Sequence, residues 1–490
     1  MAQPFSVYST SARAVQPFVP VTPGHVGIYV CGMTVYDDAH IGHARAFVLF
    51  DVITRYLRHR GWRVTLVRNF TDIDDKIIRR AAQTGAEPLA LADHYIDSFQ
   101  EDATALGLLP PDHEPRVTGH IPDIIALIAR LVERGFAYAS GGSVWFSVPS
   151  DADYGRISGQ GPGEPSADAD TSAKRHPADF ALWKGERPGE PAWDSPWGRG
   201  RPGWHIECSA MSMRYLGDTL DIHGGGTDLV FPHHENEAAQ STAATGKPYA
   251  NCWVHNGLLN IRGQKMGHSA GNFITVKSLL AAYPAEALRL YYLQNHYRSA
   301  LLWSDTALSE ALTMLARLYE ARESAEGLGG TGDADAIASQ IGKPALVVLR
   351  LGRGFPTRLT EAMDADFNTA SALGHAFTLA RAINRLVGVK GAARKAGPVV
   401  APALAALSML TEATGLLAQT PAAFWAETSG KRLAVLGLSA ADIEVRVQAR
   451  QQARADRDWA KADAIRAALS ADGIAVFDRP GGISDWRVAL

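Results

Sequence analysis

The sequence predicts an α/β protein, with a Rossmann-like domain that is split by an insertion and followed by a helical bundle and a small C-terminal domain. Three observations support this fold class. The chain opens with a strand–helix–strand pattern, its middle contains a loop rich in Gly, Pro, Ser and Asp, and helical periodicity dominates after Pro284. The 490 residues, 46% of them hydrophobic, are enough for about three domains with their own cores.

The opening pattern is typical of the first half of a doubly wound nucleotide-binding sheet. A short apolar run over residues 25–32 predicts a buried strand, and apolar residues at helical spacing over 44–60 predict a helix that Gly61 ends. A second strand is predicted over 62–70. Strand–helix–strand units of parallel sheets are almost always right-handed. We therefore expect the two strands to be parallel and the crossover to be right-handed.

The middle of the chain predicts an insertion between the two halves of the sheet. A helix is expected over 121–135, then a hairpin near Gly141 and an irregular loop over 159–177. The stretch 203–268 is dense in His, Gly and Trp and is expected to alternate short strands with turns. We interpret that stretch as the second half of the interrupted nucleotide-binding fold.

The C-terminal part of the chain is expected to be mainly helical, with polar linkers at 326–335 and near 391–398. From about Ser439 we expect one charged helix and a short strand region that contains glycine. The predicted segments are the two halves of the Rossmann-like domain with the insertion between them, then the bundle and the C-terminal domain: 1–120, 121–200, 201–300, 301–425 and 426–490.

Composition excludes several classes of protein. No run approaches the roughly 18 apolar residues of a membrane span, and the N-terminus lacks the layout of a signal peptide. The chain has 3 cysteines, too few for a disulfide framework. Because 48 Lys and Arg oppose 51 Asp and Glu, any nucleic-acid-binding surface must be local. We therefore expect a cytoplasmic protein with no membrane partner.

The tetrapeptide His40-Ile41-Gly42-His43 lies between the first predicted strand and the first predicted helix. Backbone N–H groups and the helix dipole favour a phosphate there, Gly42 lets ATP approach the main chain, and both imidazoles can donate to phosphate oxygens. From these four residues alone, an ordinary turn with incidental histidines remains an alternative.

The tetrapeptide resembles the HIGH signature of class I aminoacyl-tRNA synthetases. The blocks at 31–45, 69–78, 201–211 and 221–237 are similar to those of the cysteinyl-tRNA synthetases, and the similarity runs from near Phe18 to Trp486-Arg487. The resemblance implies a class I catalytic domain with an insertion, a helical bundle and an anticodon-binding domain. It also implies attachment of L-cysteine to tRNA(Cys) through a cysteinyl-adenylate, with ATP and Mg²⁺ as co-substrate.

Cys31, Cys208, His233 and Glu237 are residue types that zinc accepts, and His233 and Glu237 are one turn apart if that stretch is helical. Spacing alone leaves a packing role open for the cysteines. The resemblance maps all four residues onto zinc ligands, with one Zn²⁺ per chain. Because a thiolate binds zinc much better than a serine hydroxyl does, such a site selects cysteine without an editing domain. Cys252 matches no ligand, and packing is its default role.

Further positions match those around the substrates of the family. The resemblance implies that Gly225 and Asp228, in the run HGGGTD, lie beside the nucleotide, although a mobile turn is the alternative for this run. Trp204 has core packing as its alternative role. The positions implied to contact the amino acid are Thr34, Thr71, Trp204 and His223.

The run Lys265-Met266-Gly267-His268-Ser269-Ala270-Gly271-Asn272 aligns with the family loop KMSKSLGN, whose two lysines neutralise the transferring phosphates and the pyrophosphate. The resemblance therefore implies catalytic and ATP-binding roles for Lys265 and His268 beside His40 and His43. A solvated loop lysine is the alternative for Lys265. Since His268 replaces the second lysine and imidazole is mostly neutral at pH 7, one cation is weakened unless bound phosphates raise the histidine pKa.

Basic residues recur at helical spacing near the C-terminus and predict one basic stripe along a helix: Arg446, Arg450, Arg454, Arg457 and Lys461. Such a stripe suits an RNA backbone, or it is only a solvated face. The resemblance places the anticodon-binding module here, and Asp366-Phe367-Asn368-Thr369 is similar to a signature of the bundle. Trp486 either stacks on an unpaired anticodon base or fills the core of the small domain.

Two other functions stay open from the sequence. The first is a ligase that joins cysteine to a small amine, as in the mycothiol-pathway relatives; those relatives lack the anticodon-binding domain, which argues against it. The second is a catalytically weak tRNA-binding paralogue, suggested by Gly267 and His268. The retained zinc ligands and the retained histidine pair argue against the second function. We expect the enzyme to be a monomer.

Overall fold

The computed structural model describes residues 5–161, 173–261 and 273–478, the backbone of 264–265, and residues 484–490. His268 and the rest of the predicted phosphate loop from Met266 to Asn272 lie outside the described residues, as does part of the predicted 159–177 loop.

The described residues contain 15 strands: β1 (Ser6–Ser9), β2 (Ala14–Pro17), β3 (His25–Thr34), β4 (Arg63–Thr71), β5 (Ala137–Ser140), β6 (Ser143–Phe146), β7 (Phe180–Gly185), β8 (Gly200–Pro202), β9 (Leu220–Gly226), β10 (Ala250–Asn256), β11 (Leu259–Ile261), β12 (Gln264–Lys265), β13 (Leu301–Trp303), β14 (Ile474–Asp478) and β15 (Ser484–Val488).

The same residues contain 16 α-helices: α1 (Ile41–His59), α2 (Asp75–Thr84), α3 (Pro88–Ala105), α4 (Ile121–Glu133), α5 (Trp204–Leu216), α6 (Glu235–Thr245), α7 (Val276–Ala282), α8 (Ala285–Leu293), α9 (Asp305–Glu326), α10 (Ala334–Ile341), α11 (Lys343–Asp364), α12 (Thr369–Val387), α13 (Gly397–Thr414), α14 (Pro421–Leu436), α15 (Ala440–Ala455) and α16 (Trp459–Ala471).

A four-stranded parallel sheet in the order β10-β9-β3-β4 forms the centre of the Rossmann-like domain. The predicted strand–helix–strand unit is confirmed as β3, α1 and β4. Helix α1 packs closely on the sheet, because a Cβ atom at Gly224 of β9 would lie only 2.0 Å from the ring of Phe50. A larger residue at position 224 would therefore push the helix off the sheet.

The insertion is an antiparallel sheet in the order β5-β6-β7-β8, preceded by α4. The predicted hairpin is confirmed: β5 and β6 pair across Gly141 and Gly142, whose φ angles of 62° and 77° suit a two-residue turn between twisted strands. Buried side chains of α4, the insertion, α5 and α6 share one hydrophobic core.

The prediction that 203–268 alternates strands with turns is wrong in two places, because α5 and α6 are helices. Every residue of α5 from Ile206 to Ser212 is buried, including three polar ones. A helix buried all round carries no alternation of apolar and polar faces, so the helical period cannot be read from its sequence.

The expected single helix after Ser439 is also wrong. Two helices, α15 and α16, are separated by a turn in which Arg457 has a left-handed φ of 60°, and the antiparallel hairpin of β14 and β15 packs with them. Helical spacing of the arginines continues across this break, which is why the sequence suggests one helix.

The chain divides into two compact units. The first comprises 1–273, 295–302 and 360–369, and contains the parallel sheet and the insertion. The second comprises 274–294, 303–359 and 370–490, and contains the helical bundle and the C-terminal hairpin. None of the helices that the structure describes combines the length and the apolar character that a membrane span requires.

Candidate active site

His40 and His43 begin helix α1 directly after β3 and form a reciprocal cap. His40 Nδ1 accepts hydrogen bonds from the backbone N–H groups of Gly42 and His43, both at 3.1 Å, and His43 Nδ1 accepts one from the backbone N–H of His40 at 3.4 Å. The two rings stack with centroids 3.5 Å apart. Because both Nδ1 atoms accept, each neutral ring carries its proton on Nε2.

His43 is neutral near pH 7. Burial lowers its pKa well below the ordinary value, and the charges of His40 and Lys76 lower it further. A neutral imidazole stabilises a phosphate by donating a hydrogen bond rather than by carrying charge.

Four buried side chains from separate elements meet beneath this edge of the sheet: Cys31 of β3, Cys208 of α5, His233 of the turn before α6 and Glu237 of α6. The sulfur atoms of Cys31 and Cys208 are 3.7 Å apart, and His233 Nε2 is 3.6 Å from the Cys208 sulfur. Glu237 Oε1 is 3.5 Å from the Cys31 sulfur and 3.0 Å from His233 Nε2.

These separations fit a tetrahedral zinc ion. Bonds of about 2.3 Å to sulfur and about 2.0 Å to nitrogen or oxygen place tetrahedral donors roughly 3.3–3.8 Å apart. Burial alone would raise the pKa of Cys208, but hydrogen bonds with Cys31 and His233 lower it to about 6. The histidine charges outweigh burial at Glu237 and hold its pKa well below the ordinary range. The lowered pKa values favour the thiolate of Cys208 and the carboxylate of Glu237, which are the forms that bind a metal.

A second set of four donors shares two members with the first: Cys31, His223, His234 and Glu237. His234 Nε2 lies 3.3 Å from the Cys31 sulfur, and His223 Nε2 lies 3.2 Å from Glu237 Oε2. His223, predicted to contact the amino acid, is therefore part of the donor cluster. His234 was missed by sequence reasoning, although the His233-His234 doublet was the signal for it.

A hydrogen-bonded chain leads away from this cluster and was also missed. His234 Nδ1 lies 2.7 Å from His255 Nε2, and His255 Nδ1 lies 2.7 Å from Thr10 Oγ1. Burial lowers the pKa of His255 to about 3, so the ring is neutral at pH 7. These hydrogen bonds fix the ring orientation of His234 beside the donor cluster.

The residues predicted to contact the amino acid surround the cluster. Trp204 is half-buried and stacks on His233 with centroids 4.1 Å apart, so it borders the site. Thr71 ends β4, opposite Thr34 at the end of β3, and its hydroxyl donates to Glu207 Oε2 at 2.9 Å. Glu207, which sequence reasoning did not single out, is fully buried, and burial raises its pKa well above the ordinary range.

Two of the predicted nucleotide-binding residues, Gly225 and Asp228, lie at the edge of the parallel sheet where β9 ends. Gly225 is near the end of β9, and Asp228 is exposed in the short turn that follows. Parallel strands end at one edge of a sheet, which brings these residues and the His40 cap together. The backbone of Lys265 pairs with Asn260 in the β11–β12 hairpin.

Three arginines of the predicted RNA-binding stripe are engaged in ion pairs. Arg446 donates to Asp472 at 2.7 Å, and Arg450, only 3% exposed, donates to Asp478 at 2.8 Å. Arg454 also pairs with Asp478. These contacts hold α15 to the following helix and hairpin. The prediction of a stripe along one helix is wrong, because the helix breaks at Arg457 between α15 and α16.

Two of the predicted RNA-binding cations and the tryptophan remain accessible. Arg457 and Lys461 are exposed in the turn between α15 and α16 and at the start of α16. Trp486 packs partly against the small hydrophobic core and donates its indole N–H to Glu444 at 2.9 Å.

Comparison with known proteins agrees with this architecture. A family model for the tRNA synthetases class I (C) catalytic domain matches residues 17–313, and a DALR domain model matches 358–418. A solved Mycobacterium tuberculosis methionyl-tRNA synthetase in complex with methionyl-adenylate has a TM-score of 0.62 and 17% identity, and the match covers 85% of this chain and 94% of that one. The fold and site thus define a class I aminoacyl-tRNA synthetase.

Curated relatives specify the family further. A cysteine--tRNA ligase of Geobacter sulfurreducens is 49% identical over 488 residues, covering 98% of this chain and 99% of that protein. One of Alkalilimnicola ehrlichii is 50% identical over 485 residues, with the same coverage. The chain belongs to the cysteine--tRNA ligase family and attaches cysteine to tRNA(Cys) with ATP.

These matches confirm the predicted fold class, enzyme class and partners, which are tRNA(Cys), L-cysteine and ATP. Because the matches span the whole chain, they favour a tRNA ligase over a ligase for a small amine.

Proposed function

We propose that the chain selects L-cysteine with a Zn²⁺ ion held by Cys31, Cys208, His233 and Glu237, and activates it as cysteinyl-adenylate before transfer to tRNA(Cys). The observation that carries this proposal is the buried cluster: three of its donor separations, 3.5–3.7 Å, fit the edges of a zinc tetrahedron, and the fourth, 3.0 Å between His233 and Glu237, is slightly shorter. The donor set of two thiols, one imidazole and one carboxylate suits zinc better than the hard cations Mg²⁺ and Ca²⁺.

When bound, the metal supplies a thiophilic contact that distinguishes a thiolate from the hydroxyl of serine. The residues around the cluster shape the rest of this specificity. Trp204 stacks on His233 and borders the space where a small side chain fits. Thr71 is held by its hydrogen bond to Glu207, while His223 and Thr34 complete the walls. We expect these side chains to exclude larger amino acids.

Activation requires neutralisation of the ATP phosphates. The Nε2–H groups of His40 and His43 point away from their cap and serve as phosphate donors at the N-terminus of α1. Gly225 lets the nucleotide approach the main chain, and Asp228 accepts hydrogen bonds from ribose hydroxyls. Lys265, with His268, stabilises the leaving pyrophosphate, which we expect to carry Mg²⁺.

Transfer to tRNA completes the reaction, as a ribose hydroxyl of the terminal adenosine displaces AMP from the adenylate. Contacts of Arg457, Lys461 and Trp486 with the anticodon arm support this step. We place the reaction in the cytoplasm, because Cys31 and Cys208 are free thiols and a reducing compartment keeps them able to bind metal.

Metal analysis and ATP–pyrophosphate exchange test the proposal on one preparation. Zinc-replete protein should carry one zinc per chain and exchange pyrophosphate with cysteine but not with serine. Cys208→Ser should lower metal content and the affinity for cysteine together, because the thiolate ligand is lost. Cys252→Ser is the matched control, since Cys252 lies outside the donor cluster. Absence of zinc in the replete protein would contradict the ligand assignment.

A further inference from the structure

Lys76 is the second residue of α2, and its position is unusual for a lysine. Asp74 caps the helix by accepting a hydrogen bond from the backbone N–H of Lys76 at 2.8 Å. The N-terminus of a helix carries a partial positive charge, so a lysine in the first turn lowers helix stability. The position is therefore not explained by the stability of α2.

Asp75, the acidic residue directly before Lys76, binds other groups. Asp75 pairs with Lys184 at 2.7 Å and with Arg201. Within the part of the chain that the structure describes, no ion pair includes Lys76, and its side chain is exposed. The Asp74 carboxylate is engaged with the backbone at this helix end, so the exposed ammonium of Lys76 is available to a ligand.

The aromatic surroundings direct this ammonium toward the site described above. Lys76 Nζ lies 5.7 Å from the ring centre of Tyr36 and 6.0 Å from that of Trp204, both within cation–π range. Trp204 in turn stacks on His233 of the donor cluster. On the other side, the charge of Lys76 is close enough to His43 to contribute to its lowered pKa. The ammonium therefore lies near Trp204, which borders the donor cluster, and near His43 of the histidine cap.

We propose that Lys76 binds an oxyanion of the reacting pair, either the cysteine carboxylate or the α-phosphate that it attacks. The inference rests on the proposed function. In that reaction a carboxylate oxygen bonds to the α-phosphorus while the bond from phosphorus to the bridging oxygen of pyrophosphate breaks, and pyrophosphate leaves with the electron pair. Both anions must approach each other, and a fixed cation between the two binding regions lowers their repulsion and stabilises the charged phosphoryl oxygens.

The sequence of the phosphate loop makes such a cation more important in this chain. The second lysine of the family loop is His268 here, so one fixed positive charge is weakened near neutral pH. A cation on α2 belongs to a different element and does not depend on the position of that loop.

Cysteine-dependent ATP–pyrophosphate exchange by zinc-loaded full-length protein tests the inference. Lys76→Met should lower kcat by about tenfold or more, because one preorganised charge contact is lost from the transition state. Lys76→Arg should restore part of the rate. Arg79→Met is the matched control: it removes one exposed positive charge from the next turn of α2 and should stay within about twofold of the unmodified enzyme if only local contact matters. Zinc content should be the same in all four proteins, and no variant should have a lower thermal midpoint than the unmodified enzyme.

A second measurement identifies which anion is bound. The affinity for cysteinamide, which lacks the carboxylate, is measured from inhibition. It is compared with the affinity for cysteine in the absence of ATP. Contact with the carboxylate predicts that Lys76→Met binds both compounds equally, whereas contact with the α-phosphate predicts unchanged discrimination and a raised KM for ATP or lowered kcat.

Two outcomes would overturn the inference, and they are distinguishable. If the unmodified enzyme exchanges pyrophosphate and Lys76→Met matches it, Lys76 binds neither anion while the proposed function stands. If the unmodified, zinc-loaded enzyme shows no cysteine-dependent exchange, the proposed function is wrong, and the inference that rests on it is wrong as well.

Discussion

At the scale of single residues, the histidine pair combines a structural and a chemical role. His40 and His43 use their Nδ1 atoms to cap α1. The contacts that stabilise the helix therefore also fix the tautomer, with the proton on Nε2, on which the proposed phosphate binding depends. A substitution that preserves an N–H donor should retain part of the function, and one that removes it should not.

The His43 prediction follows from this geometry. His43→Ala should slow adenylate formation on the order of 10²-fold, and His43→Asn, which keeps an N–H donor, should recover part of the rate. Since burial lowers the pKa of His43 well below the ordinary value, the ring stays neutral from pH 6 to 8, and the rate ratio between the unmodified enzyme and His43→Ala should be constant there. Pre-steady-state adenylate formation measures it. A ratio that grows toward pH 6 would show that the imidazolium charge matters.

The His268 prediction concerns a residue outside the described part of the chain and rests on the sequence. His268→Lys should speed cysteine activation at pH 8, where an ordinary imidazole is neutral, and the gain should shrink at pH 6 as the imidazole becomes charged. The same pre-steady-state assay tests it. A His268→Lys enzyme that is slower at every pH would mean that this loop works by a geometry different from that of its family.

At the scale of elements, ion pairs join segments that are distant in sequence. Asp75, in the first turn of α2, binds Lys184 of β7 and Arg201 of β8 and so ties the sheet domain to the insertion within the first compact unit. Arg450 of α15 similarly binds Asp478 of β14 and Ser484 of β15. Each ion pair requires one geometry between the two elements that it joins, and hydrophobic packing alone does not impose that geometry.

The Asp75 prediction is a loss of stability that depends on pH. Burial alone would raise the pKa of Asp75, but Lys184 and Arg201 outweigh it and lower the pKa to about 2. The ionised form is therefore stabilised on folding, and the contribution is present above the unfolded pKa of about 3.9 and lost as pH falls toward 2. Asp75→Asn should cost about 1 kcal/mol at pH 7, a figure reduced for screening of a partly exposed side chain.

Urea unfolding of both proteins between pH 7 and pH 3 measures this difference in the free energy of unfolding. The gap should be constant down to about pH 4 and should narrow below it. A gap of the same size at pH 3 and pH 7 would mean that the carboxylate charge is not its origin.

The Arg450 prediction separates structural from RNA-binding cations. Arg450→Met should destabilise the α15–hairpin module by about 1–3 kcal/mol, because a buried arginine loses charged hydrogen bonds.

Lys461→Met should leave the thermal midpoint unchanged and raise the KM for tRNA if Lys461 contacts the RNA backbone. Thermal unfolding and tRNA charging are measured for both. If Lys461→Met charges tRNA with an unaltered KM at low and high salt, Lys461 belongs to a solvated face.

At the scale of the whole molecule, the two compact units divide the chemistry. The first contains every residue of the donor cluster and the histidine cap. The second contains the bundle, and its C-terminal module has a core of its own, built from α14, α15, α16 and the hairpin. Such a division allows one function to be removed while the other is retained.

The truncation prediction uses this division. Removal of the chain after Gly437, the left-handed residue that ends α14, should leave cysteine activation nearly intact and lower tRNA charging by about tenfold or more, because RNA contacts are lost. Both rates are measured on one preparation, with circular dichroism to verify that the remaining helices are folded. Equal charging by the truncated and full-length proteins would assign recognition of tRNA(Cys) to the residues that remain.

Local structure was largely readable from the sequence where residues show a clear period. The strand–helix–strand unit, helix α4 and the glycine hairpin were predicted within a few residues of their positions in the structure. Helices α5 and α6 were missed because burial on all sides removes the alternation on which such a prediction depends. The break at Arg457 was missed because a single left-handed residue leaves no mark on the spacing of the arginines.

By itself, the sequence determined the class of chemistry: the residue types of the donor set, the histidine pair and the long blocks shared with one family of synthetases. The tertiary structure alone decided how these residues meet. Cys31 and Cys208 are separated by 177 positions yet lie 3.7 Å apart, and His234 Nε2 lies 3.3 Å from the Cys31 sulfur. The structure also places Lys76 beside Trp204 and buries Arg450 in an ion pair. The physical reason is that periodicity reports neighbours along one element, whereas burial, ion pairing and donor geometry arise between elements that are distant in the chain.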